Sequence, residues 1–318
     1  MADATAEPQR KEGEPVPDVR YLTVTYSKKR EIGRRVASHP SSQHCPSGLR
    51  PPIQGRFYKD GDVVNCHPSL FKQVGRNADG VDPHDMAIVE EYVDHREDVL
   101  GRIAKFYGVL PAACKFAVLR VLNGGSISAW VHDAKCPRNA HREQEDLKAL
   151  VEMANVVRKA IFNMERFKPI VASLTDRLRI ARAAAVARAE AQLANAHSPQ
   201  DKIEAQKVLS RARYRTQSQA IKRTIFSLCV FELEDSILNV IDETLQSLGW
   251  VVASLQFDGC HVEHRPGFDF NAALGRAEKE VERRLGYKIQ LKEKPLFEAR
   301  VEASVEDYDL LMGNEDYE

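Results

Sequence analysis

The sequence predicts an α+β fold: a small antiparallel sheet backed by helices, with a large helical insertion between two sheet segments. Three observations carry that expectation. Short β-rich runs stand far apart in the chain, at 56–64 and at 250–263. Stretches with apolar residues at helical spacing fill the interval between them. Gly, Asn and Pro punctuate those stretches where helices would start and stop. With 318 residues, the chain can form two or three substructures around a real core.

Taken in order, residues 1–20 are polar and proline-bearing, with the composition of a disordered tail. Tyr21 to Tyr26 alternates with β-branched residues and reads as a strand. Residues 33–46 hold Gly, Ser and Pro at short intervals and read as a loop. Arg56 to Val64 reads as a short strand closed by Asp62, with a turn at Asn65 and a new helix near Pro68. Asp85 to Tyr107 is helical, with Ile88, Val89, Tyr92, Val99 and Ile103 forming a stripe. The next helix starts at Pro111, runs to Leu122 and stops at Asn123-Gly124-Gly125.

Glu143 to Ile170 and Asp176 to Ala196 are two further helices. His197-Ser198-Pro199 separates the second from a basic helix, which Ser198 can cap. That helix continues or restarts into 226–248, where Ile237, Leu238, Ile241, Leu245 and Leu248 share a face and Gly249 ends the run. Trp250 to Phe257 reads as a strand, Asp258-Gly259 as a hairpin signal and Cys260 to Glu263 as the return. A helix at Asn271 to Leu285 and a last strand at Tyr287 to Leu291 complete the layer.

Formal net charge is zero, so overall charge predicts no partner. Its distribution says more. Residues 202–223 carry seven Lys or Arg against one Glu, and 302–318 carry seven acids and no base. That split suggests an element facing a polyanion and a solvated acidic tail. Six cysteines without C-x-x-C spacing point to a reducing, intracellular compartment, nucleus or cytoplasm, rather than a disulfide framework. No apolar run approaches a membrane span, and the N-terminus has neither a secretory nor a transit pattern.

An acid at a strand end beside a turn is where a sheet can hold a metal against a substrate phosphate, and it is also a common turn former. Asp62 and Asp258 both stand in such places. Arg34 and Arg35 belong to a basic loop that either tracks a phosphate backbone or is simply solvated. Arg211, Arg213, Arg215, Lys222 and Arg223 admit the same two readings on a helix. A zinc site from His132, Cys136 and His141, with Cys114, has irregular spacing.

Together these segments resemble the polymerase region of family A DNA polymerases, over roughly residues 33 to 290 and in family order. The family loop T-G-R-L-S-S-x-x-P-N-L-Q-x-I-P is matched by Gly33, Arg34, Pro40, Gln43 and Pro46 without a gap. Asp62 falls on the first catalytic aspartate. Lys115, nine residues before Gly124, matches the triphosphate-binding lysine of a helix that ends in Tyr-Gly. Asp258 falls on the aspartate of a His-Asp-Glu hairpin.

The sequence departs from the pattern at several points. Phe257 and Gly259 replace the flanking His and Glu, Asn123 stands at the Tyr and Leu119 at an aromatic that meets the incoming base. Pro111 takes the place of a second triphosphate-binding basic residue, and His67 stands at the glutamate that screens the sugar 2′ position. Asp62 to Leu70 is also similar to the family B motif D-x-x-S-L-Y-P-S.

The resemblance implies a palm of two segments, 21–75 and 225–300, a fingers-like insertion at 76–224 and an acidic tail at 301–318. It implies a DNA polymerase that uses two Mg²⁺ ions, or Mn²⁺, held by Asp62, Asp258 and the Val63 carbonyl. Lys115, Leu119, Asn123 and His67 would face the deoxynucleoside triphosphate. Arg34, Arg35, Gln43 and the basic helix would face the primer-template. Further replication subunits are compatible with the absent thumb pattern. The alternatives are a non-catalytic helical nucleic-acid-binding protein and a degenerate polymerase subunit.

Overall fold

A computed structural model describes residues 24–28, 31–39, 41–45, 50–55, 57–79 and 81–294. The expected tails, the start of the first strand at Tyr21, and Pro40 and Pro46 of the loop lie outside the described residues. The chain opens with a hairpin of β1 (Tyr26–Lys28) and β2 (Arg35–Ala37), antiparallel to each other. The stretch expected to be loop thus contains a strand. A 3₁₀ turn at Ser42–His44 and α1 (Arg50–Gln54) lead into β3 (Tyr58–Val63).

The helical region follows: α2 (Cys66–Arg76), α3 (Pro83–Asp94), α4 (Arg96–Tyr107), α5 (Pro111–Leu122), α6 (Ile127–Asp133), α7 (Glu145–Asn163), α8 (Lys168–Ala194) and α9 (Pro199–Thr216). The long α10 (Ser218–Ser247) returns the chain to the sheet through β4 (Val252–Gln256), β5 (Gly259–Glu263), α11 (Phe270–Leu285) and β6 (Leu291–Lys294). The main sheet has four strands in the order β4-β5-β3-β6, antiparallel throughout. Everything from α2 to α10 is therefore inserted between β3 and β4, two strands of one sheet that β5 separates, as the pattern of periods predicts. No helix among the described residues is long and apolar enough to cross a membrane. All six cysteines are free thiols.

Local chemistry accounts for the helix boundaries. The expected 85–107 helix breaks at His95, whose backbone leaves the helical region; Asp82 caps α3 and Pro83 occupies its first turn. Gly108 at φ 72° closes α4. Ser198 and Asp201 form a reciprocal capping box that starts α9.

Strand boundaries differ from expectation: β1 begins at Tyr26, where the expected first strand ends, and the last strand and the β4–β5 turn shift as well. Tyr287 to Ile289 do not pair as a strand, because the Gln73 side chain takes both backbone groups of Lys288, accepting its N–H and donating to its carbonyl. The ladder to β3 begins only at Val63 opposite Leu291. The β4–β5 turn is Phe257-Asp258 rather than Asp258-Gly259, since Gln256 already faces Gly259 across the hairpin.

One face of the sheet is apolar and one is polar, as a period of two requires. Gly61, Val63, Cys260 and Val262 are buried toward α10 and α11. Gly61 matters to that contact. A Cβ built there would stand 3.0 Å from Phe270 and 3.2 Å from Leu274 of α11. Gly61→Val should therefore cost about 1–3 kcal/mol by overpacking. A urea unfolding midpoint equal to wild type would show that α11 does not depend on this close approach.

Candidate active site

β3 alternates so that Asp60 and Asp62 face away from the apolar core. Asp62 lies directly across from Gly259, the first residue of β5, and the Val63 amide donates to the Asp258 carbonyl at 3.1 Å. Both aspartates thus stand at one end of adjacent strands. Gly259 is required by that crowding: a Cβ there would lie 2.3 Å from the Gly61 carbonyl oxygen and 3.1 Å from Asp62 Oδ1.

The Asp62 carboxyl is pushed up from its ordinary 3.8 to about 7, first by burial and then by the negative charge of Asp258. Lys294 of β6 pulls the other way through an ion pair with Asp62 Oδ2. The Asp62 side chain is only 14% exposed, so these charges act through little water.

A second charged group lies beside the first. Arg34 forks onto buried Glu234 of α10, Nε to Oε2 at 2.6 Å and Nη2 to Oε1 at 2.9 Å. Its guanidinium covers Phe231 at 3.9 Å and Phe257 at 4.8 Å from the ring centroids. Phe257 is the neighbour of Asp258 in the β4–β5 turn, so Arg34 reaches the turn that carries the second aspartate. Burial works against ionised Glu234, yet Arg34 and His67 hold its carboxyl down at about 2.

His67 is 7% exposed, stacked on Phe71 and tilted against Phe231, with Nε2 3.7 Å from Glu234 Oε2. Cys66, the first residue of α2, senses both groups. Burial raises its thiol well above the usual range, and Glu234, Asp258 and Asp62 add to that while Arg34 opposes it. The end of β3, the β4–β5 turn, β2 and the middle of α10 therefore converge on one locus.

Sequence reasoning missed the acids of α10. Lys28 pairs with Glu232 at 2.7 Å and Asp235 at 3.0 Å, and Arg35 Nε with Asp235 at 2.6 Å. Arg35 Nη2 is buried without a hydrogen-bond partner. Gln43 donates to the Leu255 carbonyl at 2.9 Å and accepts from the Ala37 amide, clipping the loop to β4. Arg34, Arg35 and Gln43 are thus engaged in holding the N-terminal hairpin on the sheet and α10. The only sequence signal for this was E-L-E-D interrupting an apolar helix.

The remaining candidates lie on α5, α9 and α10. Lys115 is exposed on α5, which packs on α4, α6 and α7. Leu119 is half-buried. Asn123 turns its amide back to the Leu119 carbonyl at 2.9 Å as the helix ends. Arg211 and Arg213 are exposed on α9, Arg215 is half-buried there, and Arg213 meets Glu190 of α8 at 3.0 Å. Lys222 is exposed and Arg223 half-buried near the start of α10.

The four residues weighed for zinc differ widely in exposure. Cys114 and Cys136 are buried, His132 is 90% exposed at its side chain, and His141 is exposed. Among the described residues no group of three His, Cys, Asp or Glu side chains is placed to hold a metal.

No family model and no curated sequence matches the chain. Among solved structures it is similar to the POL domain of Pol1 from M. smegmatis in complex with DNA primer-template and dNTP. That similarity has 13% sequence identity and a TM-score of 0.44, over 87% of this chain and 48% of the other. The chain spans about half the length of that polymerase domain.

Proposed function

We propose that the chain is a template-directed nucleotidyltransferase, a DNA polymerase that extends a primer with deoxynucleoside triphosphates. The observation that carries this reading is the Asp62–Asp258 pair at one end of adjacent antiparallel strands. Burial and mutual repulsion raise the proton affinity of Asp62. Two crowded carboxylates of this kind suit a hard divalent cation, which takes oxygen donors and relieves their repulsion. Asp62, Asp258 and the Val63 carbonyl would hold it. Bound there, Mg²⁺ or Mn²⁺ supplies charge neutralisation for the attacking and leaving oxygens.

The remaining roles follow from the motif resemblance. Lys115 offsets the charge that builds on the leaving pyrophosphate or donates a proton to it. Leu119 and Asn123 line the nucleotide side of α5, and His67 screens the sugar. Arg34, Arg35 and Gln43 set the loop that meets the primer end. The basic residues of α9 and α10 meet the template backbone.

Lys294 favours a second reading, a polymerase palm kept as a structural subunit, because it already gives Asp62 a countercharge. Primer extension with a labelled primer-template separates the two. The catalytic reading expects Mg²⁺-dependent extension by wild type, and Lys294→Met reaching half-maximal rate at lower Mg²⁺. No extension by either protein with Mg²⁺ or Mn²⁺ would leave the structural-subunit reading standing.

A further inference from the structure

Two arginines from distant parts of the chain meet where α5 ends. Gly124 follows the last turn of α5 at φ 80°, a conformation that favours glycine. A Cβ built on it would stand 3.0 Å from Arg223 Cγ and 3.5 Å from Arg158 Nη1, so both side chains lie against the same bare backbone. Arg158 comes from α7 and Arg223 from α10. Arg158 donates to the Asn155 side chain, and Arg223 donates to the Tyr214 hydroxyl at 3.0 Å. Among the described residues neither guanidinium has a carboxylate partner.

Like charges held together and half-buried oppose folding unless something answers them. Burial, and then the charge of Arg223, push the Arg158 guanidinium below its ordinary proton affinity. Arg182 of α8 bridges the Arg215 carbonyl and Thr224 Oγ1, which joins the end of the α8–α9 hairpin to the residue after Arg223. That hairpin, 168–216, carries ten Lys or Arg against four acids in a chain whose charges balance overall.

We propose that Arg158 and Arg223, over the Asn123-Gly124-Gly125 turn, form a phosphate-binding site for the backbone of a nucleic-acid strand. Two guanidiniums side by side match the oxygens of a phosphodiester. The excess of ten Lys or Arg over four acids along 168–216 suits a polyanion that runs on past the site. A free triphosphate shares the chemistry. It is the weaker occupant, because Lys115 lies nine residues back along α5, about 13 Å away at 1.5 Å per residue. The site rests on, and deepens, the proposed template contact of α10, and because binding needs no catalysis its failure is read apart from that of the polymerase reading.

The test measures anisotropy of a fluorescein-labelled single-stranded oligodeoxynucleotide in EDTA across a salt series, with the full chain. Arg158→Glu places a carboxylate against Arg223, so it should melt no lower than wild type. It is expected to weaken binding at least tenfold and to flatten the log–log salt slope by about one. Arg223→Gln should weaken binding and flatten the slope in the same direction, and serves if the first variant melts early. Wild-type affinity and slope in folded variants would overturn the proposal. Loss of deoxynucleoside triphosphate binding with unchanged oligonucleotide binding would also overturn it.

Discussion

Asp62→Asn is expected to abolish primer extension and, in the same protein, to raise resistance to unfolding above neutral pH. The two effects have one cause. In the folded chain the Asp62 carboxyl is held up from 3.8 to about 7, chiefly by burial and next by Asp258. Between those values the unfolded chain has released the proton that the folded chain keeps. Stability therefore falls as pH rises from about 4 to about 7, and the full penalty stands above that.

A shift of about three units corresponds to about 4 kcal/mol at about 1.4 kcal/mol per unit, an upper bound. Asn also takes the countercharge away from Lys294, which argues for a net effect of about 1–3 kcal/mol at pH 8 and near zero at pH 3. Asn keeps an oxygen acceptor for Lys294 and removes the charge. For the proposed chemistry the loss is large, about a thousandfold or more, because a metal-holding carboxylate has no substitute in the site. Urea unfolding at pH 3 and pH 8, with extension assays alongside, checks both. Parallel stability profiles for wild type and variant would mean that Asp62 carries no raised proton affinity. Retained extension would end the polymerase reading.

Glu234→Ala is expected to cost about 3–5 kcal/mol at pH 7, because it removes the buried carboxylate onto which part-buried Arg34 forks. The sign with pH is opposite to that of Asp62. The Glu234 carboxyl is held down at about 2 against an ordinary 4.5. Its contribution is fully present above about 4.5 and disappears as pH falls through about 2. About 2.5 units correspond to about 3 kcal/mol.

The pair also docks β2 on α10, together with Lys28 and Arg35 on the neighbouring acids. Replacing both partners, Arg34→Met with Glu234→Leu, should recover most of the stability, since no buried charge is then left alone. Primer-end binding should stay weak in that double variant if Arg34 meets DNA. A loss under about 1 kcal/mol for Glu234→Ala would show that the pair does not anchor the hairpin.

The elements were legible where the information is local. Helix periods between 85 and 248 mark most of the helical region, but they join α3 and α4 into one helix, start α8 eight residues late at Asp176 and give no sign of the short α6. Pro111 and Ser198 mark two starts, and Gly249 and Gly286 fall just past two ends. The hairpin signal at Asp258-Gly259 was off by one residue. Pairing register depends on the crowding of Gly259 against the Gly61 carbonyl in another strand.

The two strand-end aspartates were legible as candidates because turn chemistry is local. Their proton affinity was not. It depends on burial under the folded sheet and on Lys294, which lies on a strand 232 positions further on. In the same way, α10 shows its apolar face in the sequence but not the partners of Glu232, Glu234 and Asp235. Those partners sit about 200 residues away in the N-terminal hairpin.

Sequence by itself determined the α+β class, the helical insertion and the place of two aspartates at strand ends, because spacing and turn residues act over a few positions. Only the tertiary structure decided which charges are answered and which are left crowded, because Coulomb forces and desolvation depend on distance in space and not along the chain.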